Sequence, residues 1–316
     1  MTNDDYFKNP IRHAHVRQGM TVAELAREFD KCAFGAGRLA KAIKIYRAMQ
    51  ADDVTRFFGL AGAMIPAGMR QIIADLIKHG NINALVTTGA NLVHDMIEAF
   101  GGEHCRGECT VDDIELKSAR IDRIYDVFLS DEHFTTFEKR FDEIIDDIVD
   151  SYPQRQFTIS DFLKEIGRRI TDRNSILRAA SDFNVPIFCP AIADSSIGLQ
   201  SWIFGYKRNL QVDAFMDIRQ IMDICYNAKR AGALFVGGGV PKNFIMQSML
   251  LIPKGFDFAI QLTMDSPETG GLSGATLDEA KSWGKIGERA ETVTVYSDAT
   301  ITLPLLVAAM SEQTKG

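Results

Sequence analysis

The chain has 316 residues, is 46% hydrophobic and 24% charged, and carries a formal net charge of −7 from 35 basic and 42 acidic residues. That length holds one large core or two modest domains, and the absence of a basic block argues against nucleic acid as the main partner. No apolar run approaches the ~20 residues that span a bilayer, and the start Met1-Thr2-Asn3-Asp4-Asp5-Tyr6 lacks the basic and apolar parts of a signal peptide, so a cytoplasmic location is expected.

Residues 1–20 read as an arm outside the core, a common place for weak order, and residues 21–316 as one domain. Gly59-Leu60-Ala61-Gly62-Ala63-Met64 reads as a loop of small residues. Ile72, Ile73, Leu76 and Ile77 predict a helix over Met69 to Lys78. Ile82 to Thr88 is a short apolar run ending at Gly89, which predicts a buried strand. The charged, glycine-bearing segment from Gly101 to Tyr125 reads as an excursion over the sheet edge. Phe137, Phe141, Ile144, Ile145 and Ile148 mark one face of a helix from Phe134 to Val149. Thr158 to Ile170 opens on a Thr-x-x-Asp signal and predicts another helix.

Val185 to Ala191 reads as a strand, Asp213 to Ala231 as a helix, and Ala233 to Val236 as a strand running into Gly237-Gly238-Gly239. A helix-like stretch, Asn243 to Leu250, follows. Phe256 to Leu262 and Thr292 to Tyr296 complete the strands. This alternation predicts an α/β fold: a Rossmann-like parallel sheet covered by helices on both faces, in a single large domain.

The five cysteines are odd in number and scattered, so no disulfide framework is expected. His104-Cys105-Arg106-Gly107-Glu108-Cys109 has no second ligand pair to close a zinc site, so no metal is expected. The triple glycine admits two readings: a backbone able to approach a phosphate at a helix N-terminus, or a tight strand-to-helix turn. It lacks the full dinucleotide fingerprint. Thr87-Thr88-Gly89-Ala90-Asn91 and the Gly59–Met64 loop join it as small-residue loops at predicted strand ends, where open α/β sheets bind ligands. Close helix–sheet packing is the alternative for each. Asp194 and Asp298 follow strands too, placed to bind ribose hydroxyls or to cap the next helix. His94 suits proton shuttling or a structural role.

Leu277-Asp278-Glu279-Ala280-Lys281-Ser282-Trp283-Gly284-Lys285 sets a carboxylate, an indole and an amine close together. Lys285 becomes a nucleophile if the fold buries it beside Trp283, because burial disfavours the ammonium form. Glu279 is placed to hold a cationic substrate or move a proton. Alternatively, an amphipathic helix ends at Gly284 and Lys285 is solvated.

In order, Gly237-Gly238-Gly239-Val240-Pro241-Lys242, Gly274-Ala275, Asp278-Glu279-Ala280, Ser282-Trp283-Gly284-Lys285-Ile286 and Tyr296-Ser297-Asp298-Ala299 resemble the deoxyhypusine synthase family. The similarity reaches back through Pro190-Ala191 and Asp194 to Thr87-Thr88. The resemblance implies NAD as cofactor and a homotetramer with active sites between paired subunits. It implies spermidine or a related polyamine as aminobutyl donor and the translation factor 5A precursor as protein substrate. It assigns Lys285 as the imine carrier, Trp283 as a wall over the aliphatic chain, and Glu279 as a ligand or base for the substrate amine. Gly237, Gly238, Gly239, Asp194, Asp298, Thr87, Thr88 and Ala63 fall on the cofactor side.

The sequence also departs from the well-studied eukaryotic enzymes. Asn243 stands where they carry a histidine, and Leu199 and Leu272 where they carry acids. Val93 and His94 replace an acidic pair, which leaves His94 as a candidate proton carrier. These departures resemble the archaeal and bacterial branch, in which another donor such as agmatine, or a small-amine acceptor giving homospermidine, is an open alternative. A nucleotide-binding protein without catalysis is the alternative of a different class.

Overall fold

The computed structural model describes residues 7–206 and 208–311. Residues 7–20 contain no helix or strand and are almost wholly exposed; the first six positions of the expected arm lie outside the described residues. Thr21 then starts α1 (Val22–Phe29) with a reciprocal cap: its hydroxyl accepts from Glu24 N, and the Glu24 carboxylate accepts from Thr21 N. Next come α2 (Phe34–Ala48), β1 (Val54–Leu60), a π-helical turn at Ile65–Met69, α3 (Arg70–Lys78), β2 (Ala84–Thr87) and α4 (Gly89–Ala99). The middle of the chain holds β3 (Cys105–Arg106), α5 (Asp113–Ser118), β4 (Ile121–Ile124), β5 (Val127–Ser130), α6 (Asp131–Ser151), β6 (Gln156–Thr158), α7 (Ile159–Arg169) and α8 (Ile176–Asp182). Then follow β7 (Ile187–Phe188), α9 (Ser196–Gly205), β8 (Gln211–Asp213), α10 (Met216–Asn227), β9 (Arg230–Val236) and α11 (Gly239–Ser248). The last elements are β10 (Phe256–Thr263), α12 (Leu277–Ser282), β11 (Ile286–Tyr296) and α13 (Ala299–Ser311).

Six strands form one sheet in the order β11-β10-β9-β1-β2-β7, with every neighbouring pair parallel. Alternate residues of each strand face opposite layers. Phe58, Leu60, Leu234, Val236 and Leu262 join one hydrophobic cluster with side chains of α2, α3, α4, α6 and α7. Phe57, Ala233, Phe235 and Ala259 join a second with Ile221 and Cys225 of α10 and Ile245 and Met246 of α11. The expected α/β sheet with helices on both faces is what forms, because its strands are apolar on both sides. Among the described residues, no helix is long and apolar enough to cross a membrane.

Two local expectations need correction, and a third segment carries structure of its own. Gly59 and Leu60, read as loop, are the last residues of β1, a central strand whose apolar pattern is interrupted by Arg56. That guanidinium is used at the strand's start, bonding Met49 O and Gly80 O at 3.2 and 3.0 Å. The helix expected to run to Ala231 stops at Asn227, and β9 begins at Arg230. Gly232 belongs in that strand because an added Cβ would stand 2.8 Å from the Met49 side chain, so the strand and α2 approach closely. The segment after α4 builds a three-stranded antiparallel sheet, β3-β5-β4, with α5 beside it. Its strands are two to four residues long, too short to show a period in sequence.

Asp217 on α10 is buried, with Oδ1 accepting from Ser160 N at 3.0 Å and Oδ2 without a partner. Burial raises its pKa to about 6, opposed by the backbone donor at Ser160. A carboxyl group raised in the folded state holds its proton longer than in the unfolded chain, so stability falls as pH rises from about 4 through 6. Asp217→Asn is therefore expected to stabilise the protein by roughly 1–3 kcal/mol at pH 7.5. The gain disappears near pH 4. Thermal unfolding at the two pH values checks this, and an unchanged or lower midpoint at pH 7.5 would count against it.

Candidate active site

The chain runs outward from β1 in one direction through β2 and β7, and in the other through β9, β10 and β11. The switch point lies between β1 and β9, and a crevice for ligands is expected outside their carboxyl ends. The structure brings the proposed cofactor-side residues to that edge. Asn91 ties two of the loops together, its Nδ2 donating to Gly62 O at 2.9 Å and lying 3.2 Å from Thr88 Oγ1. Thr87 is buried, and its hydroxyl donates to Leu60 O at 3.0 Å, so it ties the end of β2 to the end of β1. Gly89 sits so close to Ser195 that an added Cβ would stand 2.3 Å from it, which draws the Asp194 loop against the Thr88 turn. Asp194 itself is exposed.

Asp298 caps its helix, Oδ1 accepting from Thr300 N at 2.8 Å. It also lines a cleft of about 550 Å³ together with Ala63, His104, Arg106, Tyr125 and Asp126. The two readings of Asp298 are thus compatible. The small antiparallel sheet supplies the far wall of this cleft.

Gly237 and Gly239 hold φ of +71° and +54°, a region that favours glycine. At Gly238 an added Cβ would lie 2.3 Å from Ser273 Cα. The close approach at Gly238 is therefore to the loop before α12, as a tight turn would require, and Gly239 N also donates to Ser273 Oγ at 3.2 Å. Beneath this contact lies buried Lys242, whose Nζ donates to Gln261 Oε1 at 2.9 Å, to Leu272 O at 3.2 Å and to Ala275 O. Burial pushes Lys242 down to about 8, opposed by the negative charge of Glu279. Three acceptors match the three protons of an ammonium, so this lysine clamps the loop that leads into α12. Lys242→Met would orphan all three and is expected to cost roughly 2–4 kcal/mol. A denaturation midpoint equal to wild type would contradict the clamp.

Thr276 caps α12, its hydroxyl accepting from Glu279 N at 3.0 Å. The helix closes on Gly284 at φ +71°, with Gly284 N donating to Lys281 O and Lys285 N to Ala280 O. These paired bonds and the left-handed glycine are a Schellman close, so the helix ends where the sequence suggests, and that turn aims Lys285. Lys285 Nζ stands 5.5 Å from the Trp283 ring centroid, within cation–π range. The expected burial is missing within one chain: Trp283 is 63% exposed and Lys285 only half-buried. The six-residue helix buries Leu277 alone, leaving the Glu279 and Trp283 side chains outward.

Lys285 also lies far from the crevice. Its carbonyl accepts from Phe256 N at the first residue of β10, while Ser297 N donates to Thr263 O at the last. Eight residues of strand span about 25 Å. A single chain therefore holds the candidate nucleophile and the cofactor-side residues at opposite ends of its sheet. Leu199 and Leu272 are both about half exposed, at 54% and 49%.

His94 lies on α4, hydrogen-bonded through Nδ1 to His104 Nε2 at 2.9 Å, and His104 Nδ1 contacts Glu98 Oε1 at 2.7 Å. Burial, and then the neighbouring His104, push His94 down to about 4, so it rests neutral. His104 and Lys242 have roles that sequence reading missed. His104 lay in a stretch read for metal ligands, and the i, i+4 step from His94 to Glu98 on one helix face was the available signal.

The family model for deoxyhypusine synthase matches residues 24–310. A probable deoxyhypusine synthase 1 of Methanosarcina acetivorans is 57% identical over 302 residues, covering 95% of this chain and 94% of the relative. One from Archaeoglobus fulgidus is 48% identical over 303 residues, covering 96% and 98%. A solved structure of a deoxyhypusine synthase candidate from Entamoeba histolytica aligns with a TM-score of 0.65 at 19% identity, covering 95% of this chain and 96% of that one; at that identity the likeness concerns the fold.

Proposed function

The chain belongs to the deoxyhypusine synthase family and is an aminobutyltransferase of that type, and we propose on that footing that it moves the aminobutyl group of spermidine to a lysine of the translation factor 5A precursor, with NAD as cofactor. The observation that carries this reading is the Glu279–Lys285 segment, where a glycine-closed helix sets a lysine amine under an accessible indole. Support for a dinucleotide comes from the loops of small residues that follow β1 and β9 at the switch point and from the cleft that Ala63 and Asp298 share. Ala63, Thr88, Asp194 and Asp298 would hold the cofactor, with Thr87 and Gly237, Gly238 and Gly239 shaping the loops behind it. Bound NAD would accept hydride from the amine carbon and later return it.

The remaining steps belong to the side chains. Trp283 covers the aliphatic chain and draws its cationic end by the ring quadrupole, while Glu279 holds the substrate amine. The Lys285 amine adds to the carbon–nitrogen double bond of oxidised spermidine, and diaminopropane leaves with its nitrogen. The aminobutyl group is then an imine on Lys285. The acceptor lysine displaces Lys285 in the same way, and reduction of the new imine fixes the product.

The opposite-end placement of Lys285 and the crevice supports a site completed by a second copy, with paired subunits in a homotetramer. Exposed Trp202, Tyr206 and Phe215 supply apolar surface of the kind such assemblies cover. Covering Trp283 in this way would also supply the desolvation that one chain lacks.

The exposed leucines at 199 and 272 favour a second reading, in which a rebuilt pocket uses another amine as donor or acceptor. Incubation with NAD and labelled spermidine, plus either the factor 5A precursor or putrescine, separates them. Label on the protein acceptor is expected. Label confined to a small-molecule product would sink the protein-modification reading.

A further inference from the structure

Oxidising a protonated secondary amine to an iminium releases a hydride and one proton. The hydride has a destination in the proposed reaction, and the proton needs one. We propose that His94, His104 and Glu98 form a relay that takes up this proton, entered at His94 Nε2 and ending on His104 in the wall of the cofactor-side cleft; this rests on the function proposed above.

The chain of bonds sets the direction. Glu98 accepts from His104 Nδ1, which fixes the tautomer and leaves His104 Nε2 as an acceptor for His94 Nδ1–H. Three of the four ring nitrogens are engaged, and His94 Nε2 is the terminus. When a proton arrives at His94 Nε2, the proton on Nδ1 passes to His104 Nε2. His94 ends neutral, as its burial requires, and the charge comes to rest on His104 beside the Glu98 carboxylate.

The surroundings suit this task. His104 is in the wall of the cleft that holds Ala63 and Asp298, yet its side chain is only 6% exposed. Phe134 of α6 lies edge-on to His94, with ring centroids 6.2 Å apart, and restricts water there. The charged or titratable groups around the pair are Arg70 of α3, 3.5 Å from Glu98, and Cys105, Arg106, Tyr125, Asp126 and Asp298 of the cleft wall. Arg70 is held mainly by Asp95 and Asp172, at 2.7 and 2.8 Å, so Glu98 keeps charge to offer His104.

The test compares the wild-type protein with His104→Gln. First, 15N-histidine NMR of the free wild-type enzyme is expected to show a coupling across the His94 Nδ1–His104 Nε2 hydrogen bond, and its absence would overturn the relay without reference to catalysis. Second, NADH appearance with spermidine is followed against pH. His104→Gln is expected to slow it about tenfold or more and to move the acid limb of the profile, at unchanged thermal stability. Arg- and Asp-lined packing alone would leave the shape of that profile unaltered. If wild type forms NADH and the variant matches its rate and profile, the relay is wrong while the proposed function stands. If wild type forms no NADH with spermidine, the proposed function fails and the relay with it, whatever the NMR shows.

Discussion

Lys285→Ala is expected to lower aminobutyl transfer by at least about 10³-fold, the scale of losing a covalent nucleophile. Lys285→Arg should fare no better, because a guanidinium stays protonated and forms no imine. The loss should not be uniform along the reaction. In the proposed reaction hydride removal from spermidine precedes imine formation on Lys285, so NADH formation is expected to persist in part while label transfer disappears. A general unfolding would abolish both. Lys285 is half-buried at the end of a short helix, and its Nζ makes a ring contact with Trp283, so alanine should leave the thermal midpoint near wild type. Transfer within a few-fold of wild type would remove Lys285 from the mechanism.

Asp95→Ala is expected to cost about 3–5 kcal/mol, the range for breaking a buried ion pair by removing one partner. Asp95 is fully buried and its two oxygens bond two other segments. Oδ1 accepts from Arg70 Nε at 2.7 Å and from Ile176 N at 3.0 Å. Oδ2 accepts from Ser175 Oγ at 2.8 Å and Leu177 N at 3.1 Å. One carboxylate thus pins α3, α4 and the N-terminus of α8, where unpaired backbone donors favour a negative charge. Alanine leaves Arg70 Nε, the Ser175 hydroxyl and two backbone N–H groups without their acceptor, while Arg70 keeps Asp172. Asp95→Asn keeps an acceptor but loses the charge, so an intermediate loss is expected. Urea unfolding measures both, and a loss under 1 kcal/mol for the alanine variant would contradict this account. Because Asp95 follows His94 on α4, its removal should also disturb the His94–His104 pair.

Much of the frame was legible because its signals are local. The strands at Phe256 and Thr292 are apolar runs, and the helix at Thr158 carries its own cap, with Asp161 N donating to Thr158 Oγ1 at 2.8 Å. What stayed hidden depends on distant partners. β1 has a charged residue in its middle, and only the carbonyls at Met49 and Gly80 explain why Arg56 is tolerated there. The antiparallel sheet consists of strands too short for periodicity. Gly238 admits in sequence either a phosphate cradle or a tight turn, and its close contact with Ser273 comes from a loop distant in the chain. The chemistry of Lys242 likewise follows from Gln261, Leu272 and Ala275, none adjacent to it. The Ser282–Lys285 run was specific enough to name a family, but its distance from the crevice emerged only from the pairing of β10 with β11.

The proposed mechanism places the aminobutyl group on Lys285 as an imine. Borohydride reduction of the enzyme with NAD and spermidine, followed by peptide mass analysis, reads that imine out. One stable aminobutyl adduct is expected on the peptide containing Lys285, absent when either NAD or spermidine is omitted. An adduct on a different lysine, or none on wild-type protein that is visibly reducing NAD, would contradict it.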